Sequence, residues 1–242
     1  MPSVTMQGVV LRFANYRDHD RMLTLFSPEH GRVDALSRGC RRPKSPMLPA
    51  SEVFVHGEFV LFQSGDRYTV TSCAIADTFY PLRLDHDRLT CASYLLGLCL
   101  AAVQPGESAE GLYRLLLKGL YHLSYCEKEA PLSVLAAFTL LFADEIGYKP
   151  RLNHCARCHA ALKEGEGVLF DMTAGGAVCQ ACGVRAAYRL RGDQVQWMRE
   201  TLKEGLTEAG QQKTDATDMN VLLRRYVESR LETPIKAGRL LP

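Results

Sequence analysis

Apolar residues along this chain keep one spacing up to about residue 80 and another beyond it. In the first stretch they recur every second position. Val9, Leu11 and Phe13 alternate with Val10 and Arg12, Leu23 and Leu25 flank Thr24, and short runs follow at Glu58–Phe62 and Tyr68–Ser72. A period of two sends successive side chains to opposite faces of a strand, so these runs predict half-buried strands. Turn formers part them at Ser27-Pro28-Glu29-His30-Gly31 and at Ser64-Gly65-Asp66. Five short strands in this span predict a small β-barrel, OB-like or SH3-like.

From Leu82 the spacing becomes helical. Leu89, Ala92, Leu96, Cys99 and Val103 form one stripe, ended by Pro105-Gly106. Leu112, Leu115, Leu116 and Leu120 form a second, and Leu135, Phe138, Leu141 and Phe142 a third. Pro131 near the start of the third and Gly147 just past its end fit the preferences of helix termini. Towards the C-terminus, Asp193 can cap a helix carrying Val195, Met198, Leu202 and Leu206. Thr217 or Asp218 can cap another with Leu223, Tyr226 and Val227. A polar linker, Glu208 to Thr214, separates these two.

Between the third and fourth helices lies a different kind of segment. Cys155-Ala-Arg-Cys158 and Cys179-Gln-Ala-Cys182 bracket Val168-Leu-Phe170, with Gly165, Gly167, Gly175 and Gly176 supplying turns. Two Cys-x-x-Cys pairs at this separation match the ligand spacing of a tetrahedral zinc site, and the segment reads as knuckle, small hairpin, knuckle. All four donors are thiols, so a bound zinc would have no open position for water, and the site is structural. The expected architecture is α+β: a barrel over 1–80, a helical domain over 81–152, a metal module over 153–183, and helices over 184–242 that complete the helical domain.

Composition adds few constraints. Apolar residues make up 47% and charged residues 23% of the 242 positions, which allows a sizeable core. The net charge of +2 is too mild to announce a polyanionic partner, so any such partner must meet a local cluster. One exists. Arg38-Gly-Cys-Arg-Arg-Pro-Lys-Ser-Pro-Met-Leu-Pro49 carries four cations, three prolines and no acid, which excludes a central strand or a helix interior and predicts a basic loop. Arg38, Arg41, Arg42 and Lys44, with Arg17, Arg21 and Arg32 nearby in sequence, could hold a phosphate backbone as OB-folds do; a solvated loop is the alternative. Isolated Cys40, Cys73, Cys91, Cys99 and Cys126 fit reducing conditions, and with no long apolar span the chain reads as soluble and cytoplasmic.

No phosphate loop, nucleophile elbow or His-Glu-x-x-His motif is present. Asp18/Asp20 and Asp85/Asp87 read as solvated pairs, and His154 and His159 as exposed neighbours of the first knuckle. A zinc-ribbon interaction protein of transcription or translation, and a zinc-dependent nucleic-acid enzyme, stand as alternatives to a DNA-binding protein.

The order of parts carries a resemblance. Gly8-Val-Val-Leu11, Tyr16 with Asp18, Leu25-Phe-Ser27 before Gly31, and Leu36-Ser-Arg-Gly39 leading into Arg41-Arg-Pro-Lys-Ser45 are followed by Phe138 through Gly147-Tyr-Lys-Pro150 and both cysteine pairs. With these the chain resembles the RecO family of bacterial recombination mediators along nearly its whole length. Asp18 stands where that family more often has Glu.

The resemblance implies an OB-fold, a helical domain and one structural zinc on Cys155, Cys158, Cys179 and Cys182. It implies a DNA-repair protein without enzymatic turnover, cytoplasmic and associated with the nucleoid. Such a protein binds single- and double-stranded DNA and anneals complementary strands. It acts with RecR, and RecF belongs to the same partner set. It engages the acidic C-terminal tail of the single-strand-binding protein so that RecA can load. Arg38, Arg41, Arg42 and Lys44 match the family's basic segment and would contact phosphates.

Overall fold

The computed structural model describes residues 3–125, 131–163, 166–183, 188–206 and 216–241. Cys126, Gly165 and the linker expected at Glu208 to Thr214 lie outside the described residues. The chain forms two compact units, Met1–Ser124 and Tyr125–Pro242.

The first unit opens with β1 (Ser3–Tyr16), β2 (Asp20–Ser27), β3 (Gly31–Ser37), β4 (His56–Ser64) and β5 (Arg67–Asp77). They close into a barrel in the order β1-β2-β3-β5-β4, which places the barrel in the OB class. Closure depends on β1 pairing twice. Ser3 to Val9 runs against β4, and Val9 to Tyr16 runs against β2. The pairing changes hands beside a bulge between Val10 and Arg12, which bends the strand around the corner.

Inside lie Met6, Val10, Leu23, Leu25, Val33, Ala35, Val55, Phe59, Leu61 and Val70, with Phe13 packed against them. Val9 and Leu11 are buried too, but outside this cluster.

Two helices follow in the same unit, α1 (His86–Ala102) and α2 (Glu110–Tyr125). The Asp85 carboxylate caps α1, accepting hydrogen bonds from the Asp87 and Arg88 N–H groups at 3.0 Å. The Leu89–Val103 stripe understates α1, which also buries Cys91, Tyr94, Leu95 and Leu98 and is apolar nearly all round. From α2, Tyr113 packs edge-on against Phe26 with centroids 5.3 Å apart, covering the outer face of β2. Gly31 fixes the β2–β3 turn with φ of 62°. A Cβ there would stand 2.2 Å from the Gln104 carbonyl oxygen, so no other residue fits.

The second unit contains α3 (Pro131–Glu145), α4 (Gly192–Glu204), α5 (Ala216–Leu231) and a small sheet. Pro131 is the first residue of α3, and Gly147 follows its end with φ of 82°. The α3 helix buries Val134, Leu135, Phe138, Leu140 and Phe142 against α4 and α5. Asp193 does not cap α4. The helix begins earlier, the Arg191 N–H donates to Gln194 Oε1 at 3.0 Å, and Asp193 sits in the first turn paired with Arg191. Asp218 likewise sits in the first turn of α5 rather than ahead of it, where its charge still suits the helix dipole.

The hairpin expected between the knuckles is present as β6 (Val168–Asp171) and β7 (Gly176–Val178). A third strand, β8 (Tyr188–Leu190), adds to β6 on its other side.

Candidate nucleic-acid interface and metal centre

The four cysteines converge. The sulfurs of Cys155, Cys158, Cys179 and Cys182 all lie within 4.8 Å of one another, and among the described residues no other cluster of three or more His, Cys, Asp or Glu could hold a metal ion. The Cys158 and Cys179 sulfurs are 3.7 Å apart, far beyond a disulfide bond length. One sulfur gathers backbone donors from both knuckles. The Cys158 N–H donates to Cys155 Sγ at 3.5 Å, and the Cys179 N–H donates to the same atom at 3.4 Å.

These donors settle the ionisation of Cys155. Burial opposes its thiolate, but the N–H groups of Cys158, Cys179 and Arg157 outweigh burial and bring the pKa down to about 6. Contact with the Cys158 and Cys179 sulfurs pushes Cys182 the other way, up to about 12. One thiolate forms readily, and Cys182 resists because it shares hydrogen bonds with the neighbouring sulfurs and faces the Cys155 thiolate. A cation removes that conflict, and a four-sulfur donor set suits a soft tetrahedral ion.

The module is anchored by groups that the sequence does not single out. Asp171, at the end of β6 and 8% exposed, accepts from the Thr173 and Ala174 N–H groups at 2.9 and 3.0 Å. It also accepts from Arg157 Nε at 2.9 Å and from the same guanidinium at 2.5 Å. Arg157 lies between the two cysteines of the first knuckle, so this pair ties knuckle to hairpin. On the other side, Phe170 packs edge-on against Tyr226 of α5 at 5.5 Å, and Arg230 donates to the Met172 carbonyl at 2.5 Å. Gly176 lies against Arg151, where a Cβ would meet the Arg151 carbonyl oxygen at 2.3 Å. His154 and His159 are exposed.

The seven cations that the sequence singles out sort into three groups. Five are exposed at one end of the barrel: Arg17 in the β1–β2 turn, and Arg38, Arg41, Arg42 and Lys44 in the segment after β3. Three hydrogen bonds join these two segments. The Arg41 N–H donates to the His19 carbonyl at 2.9 Å, the Arg41 guanidinium to the Asp18 carbonyl at 3.3 Å, and the Gly39 N–H to Asp20 Oδ1 at 2.7 Å. The last of these also occupies a carboxylate that would otherwise oppose the cluster.

Arg21 is not part of this set. It shares a strand face with Leu23 and Leu25, so it points into the barrel end. There its guanidinium lies 3.7 Å from the Phe13 ring centroid and donates to the Ser51 carbonyl at 2.9 Å and to Glu52 Oε1 at 2.7 Å. With its side chain 12% exposed, it is a clasp of the barrel rather than a free phosphate contact.

Arg32 also stands apart. It begins β3 at the end opposite Arg38, six residues or about 20 Å away along the strand. Its Nε is buried without a partner.

The chain matches two family models, the N-terminal model of recombination protein O over residues 1–79 and the C-terminal model over 83–239. Their boundary falls between β5 and α1. Similar curated proteins include the DNA repair protein RecO of Acetivibrio thermocellus, 32% identical over 175 residues, which cover 72% of this chain and 68% of that one. That of Symbiobacterium thermophilum is 28% identical over 247 residues, 100% and 97% of the two chains. That of Pelotomaculum thermopropionicum is 32% identical over 239 residues, 97% and 91%. Barrel, helices and cysteine cluster thus occur in the order these matches span, and the chain belongs to the RecO family of DNA repair proteins.

Proposed function

We propose that the chain is a recombination mediator that binds single- and double-stranded DNA through one end of its barrel and anneals complementary strands. The observation that carries this reading is the joining of the β1–β2 turn to the segment after β3, which gathers Arg17, Arg38, Arg41, Arg42 and Lys44 on one surface. Cations held by backbone contacts meet successive phosphates at a smaller entropic cost than a loose loop would. Phosphate contacts carry no base sequence, as annealing of arbitrary strands requires.

In this reading the partners are those of the family: RecR, RecF, and the acidic tail of the single-strand-binding protein, from whose complexes the chain helps RecA to load. Cys155, Cys158, Cys179 and Cys182 would hold one zinc ion. Bound there, zinc supplies cross-linking energy to a segment with few apolar residues of its own, and the four thiolates leave no position for a reacting water. The chain therefore acts by binding rather than by catalysis. An annealing assay with complementary oligonucleotides tests this. The Arg41→Glu/Arg42→Glu variant should anneal far more slowly than the parent while melting at the same temperature; equal annealing would reject the barrel surface.

A further inference from the structure

The outer face of β1, β2 and β3 carries a cleft of about 400 Å³ lined by Arg12, Phe13, Ala14, Met22, Thr24 and Asp34. Strand register brings its polar members into one row, Arg12 opposite Thr24 and Thr24 opposite Asp34. They form a directed chain. Arg12 Nε donates to Thr24 Oγ1 at 3.2 Å, and the Thr24 hydroxyl donates to Asp34 Oδ1 at 2.6 Å. Thr24 is buried, so both outer groups are held by a fixed centre, whereas Arg12 and Asp34 themselves are exposed.

A carboxylate in this place is unfavourable for a surface that only tracks phosphates. Asp34 repels the backbone, and Thr24 leaves most of its acceptor capacity unused. What Asp34 can accept is an N–H, and what the neighbouring guanidinium can offer is a donor to an acceptor beside that N–H. The cleft has room for one planar ring at the small end of ligand pockets, not for a run of strand. Past the β1 bulge, Arg12, Ala14 and Tyr16 share a face. Tyr16, 41% exposed and about 7 Å from Ala14 along the strand, offers a ring on which the adjacent base stacks.

We propose that this cleft receives a single unpaired base of bound DNA and prefers cytosine over thymine. The proposal rests on the barrel being the DNA-binding surface. Cytosine presents its N4 amino group to Asp34 and its adjacent N3 and O2 acceptors to Arg12. Thymine presents carbonyl oxygens on both sides of one N–H, and at least one of them faces the carboxylate. The annealing surface therefore has a base preference at one position although its phosphate contacts have none.

The test is the affinity ratio of 12-mers of deoxycytidine and deoxythymidine, measured by fluorescence anisotropy at one fixed salt concentration. The parent should bind the cytosine oligomer about fivefold to tenfold more tightly, the size of one good base contact. Asp34→Asn keeps an oxygen for the Thr24 hydroxyl and turns an amino group into the cleft, so the ratio should fall to about one or below. Arg12→Gln should lower it as well.

The ratio is the readout because removing a negative charge raises affinity for both oligomers. A parent ratio near one, or an Asp34→Asn variant that gains equally on both, overturns the base site. If Arg41→Glu/Arg42→Glu meanwhile weakens both oligomers, the DNA surface stands and only the base site has failed. If that double variant binds both as the parent does, the surface itself is wrong and the base site falls with it.

Discussion

Replacing Asp171 with alanine removes the acceptor of four hydrogen bonds at the turn that carries the metal module. Two of them come from backbone N–H groups of Thr173 and Ala174, in a turn where Asp171 is buried and Thr173 is exposed. Each such bond contributes about 0.5–1.5 kcal/mol net, so losing both costs about 1–3 kcal/mol. The pair with Arg157 adds little, because the Arg157 side chain is 49% exposed and solvent screens it.

The expected loss is therefore about 1–3 kcal/mol, or a melting temperature lower by roughly 3–9 °C. Asp171→Asn retains an oxygen for the two N–H groups and should lose only about 1 kcal/mol. Trp197, the single tryptophan, is buried in α4 of the same unit, so its fluorescence reports the melting of that unit. An alanine variant that melts within 1 °C of the parent would refute the anchoring role.

The pH dependence has a definite sign. Burial raises the Asp171 pKa, but the Ala174 N–H, Arg157 and the Thr173 N–H outweigh it and hold the carboxyl below its usual value. A group depressed on folding contributes fully above its unfolded pKa, near 4, and loses that contribution as pH falls through the folded value. The gap between parent and Asp171→Asn should be flat above about pH 5 and close in stronger acid. Both proteins share the thiol titrations, which cancel in the difference.

Three further outcomes follow from the same geometry. Arg21→Met should destabilise the N-terminal unit by about 2 kcal/mol through loss of the Phe13 stack and the Glu52 contact. It should leave the salt dependence of DNA binding unchanged, as circular dichroism melts and oligonucleotide titrations would record. Gly31→Ala should prevent the β2–β3 turn from seating against Gln104, with a loss above about 3 kcal/mol visible as rapid proteolysis of the barrel. Cys155→Ser removes the buried sulfur that accepts two N–H groups, so metal content should fall to background and Trp197 emission should shift to the red.

How far the sequence reveals this molecule depends on which residues carry the signal. The barrel is legible because alternation at Leu23 and Leu25 and turn formers at Pro28 and Gly65 act locally. The cysteine cluster is legible because ligand spacing within each knuckle is nearly sufficient to aim its sulfurs. Arg21 shows where charge misleads. Its proximity to other arginines suggests a shared surface, while its register with Leu23 and Leu25 turns it inward; the alternation was the better guide.

Arg32 misleads in a related way, since five strand residues, Val33 to Ser37, stand between it and Arg38. β8 is three residues long and owes its conformation to pairing with β6, so no periodicity announces it. The Arg157–Asp171 pair and the Arg12–Thr24–Asp34 row depend on residues brought together by folding, and sequence spacing carries no trace of either.

The most direct test of the central claim is the salt dependence of single-strand binding in the parent and in Arg41→Glu/Arg42→Glu. With about four phosphates neutralised at the barrel end, parent affinity should fall roughly 50-fold between about 50 and 200 mM salt. Loss of two contacts should reduce the slope of log affinity against log salt by about 1.4. Equal slopes for the two proteins would contradict the assignment of the basic segment to DNA.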